Sequence, residues 1–157
     1  MMNILSFGIP PDFSRFGKWI NPLWQTLAMS IVGTALAIVT SLFLAFLAAR
    51  NTTPHPVVYH LTRTFLNVMR SIPELIMGII LVASVGFGAL PGVLALAFHS
   101  LGMVGKFFAE SIEHVDNEPI EAVRAAGGSY TQVLLHGIMP QVLPRMADLS
   151  IYRWEYN

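Results

Sequence analysis

At 157 residues the chain suits either one soluble domain or a few membrane helices, and composition chooses between them. Hydrophobic residues make up 54% and charged ones only 11%, against roughly 25% in soluble domains, so there are too few charges to coat a surface facing water. Nine basic residues balance nine acidic ones and cysteine is absent, which excludes an electrostatic footprint for nucleic acid, a disulfide framework and thiolate metal sites. The composition implies a membrane protein, and the apolar runs taken in order below lead to an all-α, polytopic membrane helix bundle.

Residues 1–18, MMNILSFGIPPDFSRFGK, lack a basic head, and Pro10 and Pro11 interrupt the apolar stretch. They read as a lead-in segment at the interface rather than a cleaved signal. Between Lys18 and Arg50 there is no charged residue, and about 20 residues suffice to span the hydrocarbon. A first crossing is expected near 23–49, with Trp19 and Trp24 at the headgroup level. Gly33, Ala37, Ser41, Ala45 and Ala49 recur every fourth residue, a stripe of small side chains that lets another helix approach closely.

The next charge-free run, 75–105, would be about 46 Å long as one helix, against a hydrocarbon core of about 30 Å. Its middle reads VGFGALPG, and glycine and proline together break a helix. Two crossings are therefore expected, near 65–85 and 90–112, joined by a tight turn. Arg70 with Glu74, and Lys106 with Glu110, are each spaced i,i+4 and are expected to pair on one helix face at a common membrane surface. Arg50, Arg63 and Arg70 give the loop after the first crossing a slight positive bias, which places it, and by parity the segment 113–140, in the cytoplasm.

That last segment is polar where its surroundings are apolar. Asn117 is expected to cap a short helix with Pro119 in its first turn, and Glu118 and Glu121 suit the positive end of the helix dipole. Ile120, Val123 and Ala126 share one face. Gly127 and Gly128 stop this helix, Ser129 and Gln132 form a capping-box pattern for a second, and the chain leaves through Met139-Pro140 into a further helix over 140–157.

No nucleotide or metal site survives inspection. SLGMVGKF at 100–107 has Ser100 in place of the first glycine and Phe107 in place of the hydroxyl residue of a phosphate loop, and the five histidines lack ligand spacing. Arg70 and Glu74 read either as a helix-end pair or as the lining of an anion vestibule, and His99 either as a structural hydrogen-bonding group or as a substrate contact. Arg145 and Arg153 are read either as members of ion pairs or as oxyanion contacts.

The stretch from Glu121 resembles the signature loop of importer-type ABC transporter permeases: Glu-Ala-x-x-x-x-Gly, with Glu121, Ala122, Gly127 and Pro140 at matching positions. It departs at Val123, Gly137 and Met139, where that loop has alanine, isoleucine and leucine. RSIPEL at 70–75, VGFGALPGVLALAFHSLG at 85–102, GKFFAESIE at 105–113, GIMPQVLP at 137–144 and IYRWEYN at 151–157 narrow the resemblance to phosphonate-type permeases. The resemblance implies a partial type 1 transmembrane domain over 19–157, with further helices before and after it in the family, so that the chain is expected to be a fragment, a split product or a truncated remnant. It also implies a coupling helix in 113–140 that docks on separate ABC ATPase subunits, with Glu121, Ala122, Gly127, Gly128 and Pro140 carrying the coupling. ATP-Mg would then be bound by that partner, with no cofactor in this chain and no enzymatic activity of its own. A periplasmic or extracellular solute-binding protein, a homodimer and a multi-pass setting in the lipid of the bacterial inner membrane complete the expectation. The implied activity is ATP-driven phosphonate import by alternating access, with Arg70, Glu74, His99, Arg145 and Arg153 as substrate-path residues. Import of an amino acid or another oxyanion, or an inactive membrane scaffold, are the alternatives.

Overall fold

The stripe of small residues organises the bundle. A computed structural model describes residues 16–157, and all regular structure among them is helical. Helix α1, Phe16–Ala48, buries Gly33, Ala37, Ser41 and Ala45, and Ala49 just beyond it is buried too. All five members of the stripe therefore face protein. They pack on α4, Ala89–Glu113. A Cβ added at Gly33 would lie 2.9 Å from Leu96 Cβ and 3.1 Å from Val93 O, so only glycine permits the observed approach. Close packing of this kind holds helices together in lipid, where no water is released by their contact.

Successive contacts fix the direction of the pair. Gly33 meets Val93 and Leu96, the Ser41 hydroxyl donates to Leu101 O at 3.3 Å, and Arg50 N donates to Glu113 Oε1 at 2.9 Å. Both residue numbers rise together, so α1 and α4 run parallel. Two parallel crossings need one return between them, and α2, Pro56–Ser71, followed by α3, Glu74–Val85, provides it.

That return is broken, which corrects the expected straight crossing at 65–85. The axes of α2 and α3 differ by 92°. Pro73 has no N–H to donate and disfavours the helical region for the residue before it, and Ile72 is accordingly extended at φ −83°, ψ 120°. Arg70 and Glu74 consequently lie on different helices and do not form the expected i,i+4 pair. Nor do they share a level with Lys106 and Glu110: the Arg70 backbone lies against Gly102, and the His99 ring hydrogen-bonds Ile72 O at 3.2 Å. The break thus sits opposite the middle of α4. Lys106 and Glu110 do pair, at 3.6 Å.

The expected turn after α3 is present but shorter. Gly86, at φ 93°, ends α3 and Gly88 precedes α4, while Pro91 sits in the first turn of α4, where a missing N–H is harmless. The lead-in expected over 1–18 lies outside the described residues as far as 15, and residues 16–18 already belong to α1. Helices α1 and α4 are long and apolar enough to cross a membrane, and the bent pair passes the same test when taken together.

After α4 come α5, Asn117–Ala125, then α6, Tyr130–Gln132, a π-helical turn at Val133–Ile138, and α7, Met139–Tyr156. The second short helix was expected to end before Pro140. Instead the chain stays helical from Tyr130 to Tyr156, and Pro140, which has no N–H to donate, directly follows the wider π turn, where Met139 N already bonds Leu134 O five residues back. Phe108, Leu66, Ile112, Val104 and Val142 are the large side chains sealed in the core.

Candidate functional site

The polar segment between α4 and α7 is built as a rigid projection. Helix α5 ends in a Schellman turn: Gly128 N donates to Val123 O and Gly127 N to Arg124 O, each at 2.9 Å. Gly127 adopts φ 79°, in the left-handed region. At Gly128 the constraint is space, since a Cβ there would lie 2.7 Å from Val123 O. Ser129 and Gln132 then close the expected capping box, with Ser129 N donating to Gln132 Oε1 at 2.8 Å.

The start of α5 differs from expectation. Asp116, not Asn117, occupies the cap position and makes no side-chain cap. Gln141 of α7 supplies the missing partners: its Oε1 accepts from Asp116 N at 2.9 Å, and its Nε2 donates to Asp116 O at 3.1 Å and to Gly137 O at 2.7 Å. Both ends of the segment are therefore tied. Ile120 is buried and Val123 half-buried, as expected, but Ala126 is exposed, because it is the capping residue and has left the helix face. Gly137 explains its own departure from isoleucine: a Cβ there would stand 3.2 Å from Ile120 Cα, so α5 and the π turn touch backbone to backbone.

Of the residues expected to carry coupling, Ala122, Gly127 and Gly128 line one shallow concavity of about 500 Å³, with Ala126 and His136. Glu121 is exposed beside them on α5. Pro140 is exposed at the start of α7 and does not line this surface. Gly127→Ala forces a left-handed alanine at a cost of about 1 kcal/mol. Amide exchange over 117–132 is then expected to accelerate roughly fivefold, with the membrane helices unaffected.

Sequence reasoning missed the knot that joins this projection to the bundle. Glu113, the last residue of α4, accepts from Arg50 N through Oε1 and from Arg63 Nη2 through Oε2, the latter at 2.7 Å. Arg63 Nε also donates to Ala48 O at 3.1 Å, and Asn51 Nδ2 to Ile112 O at 2.6 Å. The Arg50 and Arg63 guanidiniums lie 5.4 and 5.0 Å from the Tyr59 ring centre. From the other side, the Tyr130 hydroxyl donates to Thr52 O at 2.9 Å. The ends of α1 and α4, the first half of α2 and the start of α6 are thus one hydrogen-bonded unit. Only a charge at each end of an apolar run hinted at it.

The five expected substrate-path residues do not form one cluster. Arg70 and Arg145 are exposed. Glu74 lies on a groove of about 830 Å³ between α1, α3 and α4, with Ser30, Gly78, Gly92 and Asn157. The His99 ring hydrogen-bonds the Ile72 carbonyl at the α2–α3 break. Arg153 is buried against α4.

Residues 37–157 match the family described as "Binding-protein-dependent transport system inner membrane component". The chain is 68% identical over 149 residues to the phosphite transport system permease protein PtxC of Stutzerimonas stutzeri, an alignment covering 95% of this chain and 54% of that protein. It is 48% identical over 152 residues to the phosphate-import permease protein PhnE of Mycolicibacterium smegmatis, covering 95% of this chain and 28% of that one. It therefore spans about half of the first relative and about a quarter of the second. Among solved structures, an inward-facing MetNI methionine ABC transporter superposes with a TM-score of 0.75 at 19% identity, over 90% of this chain and 71% of that chain, which shows the fold.

Proposed function

This chain belongs to the family of binding-protein-dependent transport system inner membrane components, and from that premise we propose that it is part of the membrane permease subunit of an ATP-driven importer for small phosphorus oxyanions, phosphonate or phosphite. The observation that carries the reading is the projection formed by α5 and its Schellman turn. It is exposed on its outer face, clamped at both ends and wired through Glu113 to α1, α2 and α4. A lever needs those three properties to pass force between a soluble partner and membrane helices.

In this reading an ATPase subunit, which binds ATP-Mg, seats on Glu121, Ala122, Gly127 and Gly128 at the cytoplasmic face of the bacterial inner membrane. Closure of two such subunits biases a pair of permease copies, as a homodimer, between inward- and outward-facing states. ATP must favour one state for that bias to exist. A solute-binding protein on the outer side hands over the substrate. The names of the relatives support the class of solute, since they concern phosphite and phosphate import.

The test is co-purification with the ATPase. Glu121→Lys is expected to reduce recovery of the ATPase at least tenfold while leaving the amount of permease in the membrane unchanged. Recovery at the unaltered level, or labelling of a cysteine at position 121 only from the outer side of intact cells, would remove the basis of the reading. Uptake assays with phosphite and a phosphonate against an amino acid check the solute class, and uptake of the amino acid alone would overturn it.

A further inference from the structure

Arg153 is 2% exposed, yet no carboxylate among the described residues forms a salt bridge with it. Its Nε donates to Ser100 Oγ at 2.8 Å, its Nη1 points at Met103 Sδ at 3.8 Å, and its guanidinium lies 5.0 Å from the Tyr156 ring centre. Its Nη2 is buried and has no partner. Beside it, Asn157 Nδ2 donates to Ser100 Oγ at 3.1 Å and to Thr34 Oγ1 at 2.8 Å. Every contact of this cation is neutral.

A guanidinium cannot shed its proton to escape burial. Without a salt-bridge partner among the described residues, it bears a desolvation penalty that attraction to the Glu74 carboxylate offsets only in part. Ionisable groups are rare inside membrane bundles, and they commonly line the paths of ions and solutes. The level in the bundle is also telling. Ser100 adjoins His99, which holds the Ile72 carbonyl at the α2–α3 break, so the unpaired cation and the interrupted helix lie at one depth. Broken helices at mid-depth are where transporters place solutes. Of this cluster Asn157 alone lines the groove on which Glu74 opens α3, while Arg153, Ser100 and Thr34 are buried, so the Asn157 side chain stands between the cation and a space large enough for a small ion.

We propose that Arg153, with the Ser100 and Thr34 hydroxyls, is a binding point within the membrane for a small tetrahedral oxyanion of phosphorus, reached from the groove beside Glu74. The free Nη2 donates to one oxygen of the anion, and the planar fork allows a second contact where a lysine would give a single point of charge. The Glu74 carboxylate on the same groove keeps the anion from being held too tightly, as a transit site requires. The inference rests on the permease reading and names the residues that meet its solute.

The experiment is equilibrium binding of radiolabelled inorganic phosphite to the permease purified with its ATPase in a phosphate-free detergent. Saturable binding is expected, weakened at least tenfold by Arg153→Met, less by Arg153→Lys and severalfold by Ser100→Ala. Arg153→Met removes an unpaired buried charge, so its unfolding midpoint should not fall; were it to misfold, Ser100→Ala decides alone. No saturable binding to the wild-type complex, or equal binding by the Met variant, overturns the proposal. So does phospholipid that co-purifies with wild type, is lost from the Met variant and resists displacement by phosphite, which would assign the site to a lipid headgroup. Failure of the ATPase to assemble strikes the permease reading instead, whereas an assembled complex that ignores phosphite strikes only this inference.

Discussion

Gly102→Ala is expected to destabilise the bundle by about 3 kcal/mol, the upper part of the range for overpacking, and to leave little folded permease in the membrane. A Cβ at this position would lie 2.5 Å from Arg70 N, 2.9 Å from Leu66 O and 2.9 Å from Met69 Cβ. Two of those atoms are backbone, so no side chain can swing aside, and relief requires α2 to move off α4 as a body. Movement there also drags Ile72 O away from His99. Gly105→Ala is the control on the same helix. It meets only the methyl groups of Leu66, at 2.8 and 3.3 Å, which can rotate, and about 1 kcal/mol is expected. The comparison is read from unfolding midpoints in mixed micelles. Equal effects of the two substitutions would show that α2 and α4 are not packed as described.

The second large effect is expected at Glu113. Its side chain and that of Arg63 are 18% and 26% exposed, so the pair lies between surface ion pairs, worth up to about 1 kcal/mol, and buried ones, whose breakage costs about 3–5 kcal/mol. Glu113→Ala removes the acceptor for both Arg63 Nη2 and Arg50 N, and a loss of about 2 kcal/mol is expected. The functional consequence exceeds the stability cost. The projection remains folded through its own Schellman turn and Gln141, but its tie to α1 and α2 is gone. On the proposed importer reading, ATP hydrolysis by the assembled complex should therefore persist while solute uptake falls at least tenfold. A double-mutant cycle with Arg63→Met isolates the pair: the two losses should overlap rather than add. Additive losses, or uptake that tracks hydrolysis in Glu113→Ala, would remove the transmission role.

Local chemistry made much of this legible. The stripe at every fourth residue from Gly33 to Ala49 needs no partner to be seen, because helical period alone puts those side chains on one face, and all five are buried. The Gly127-Gly128 stop and the Ser129–Gln132 box are equally local, since each is completed within six residues. What escaped was of two kinds. The i,i+4 pairing of Arg70 and Glu74 requires a continuous helix, and the absence of charge over 75–105 says nothing of Pro73, at which the helix axes turn by 92°. The other omissions depend on contacts distant in sequence. Arg63 and Glu113 are 50 residues apart, and Tyr130 and Thr52 are 78 apart. Asn117 was a sound choice of cap by residue type, yet Gln141 capped Asp116 from 25 residues away.

The π turn at Val133–Ile138 carries a consequence for how the chain can vary. A π turn holds one residue more than the α turns on either side, and each helical residue advances the chain by about 100° around its axis. Removing a single residue between Gly128 and Met139 would let the segment relax to regular α geometry and leave everything beyond it close to its present orientation, because the wider turn already absorbs that residue. A deletion between Met139 and Arg153 has no such turn to absorb it, and would swing Arg153 away from Ser100 by about that angle. The spacing from Met139 to Arg153 is therefore an angular setting as much as a length, whereas the π turn itself is where the chain can lose one residue at little angular cost.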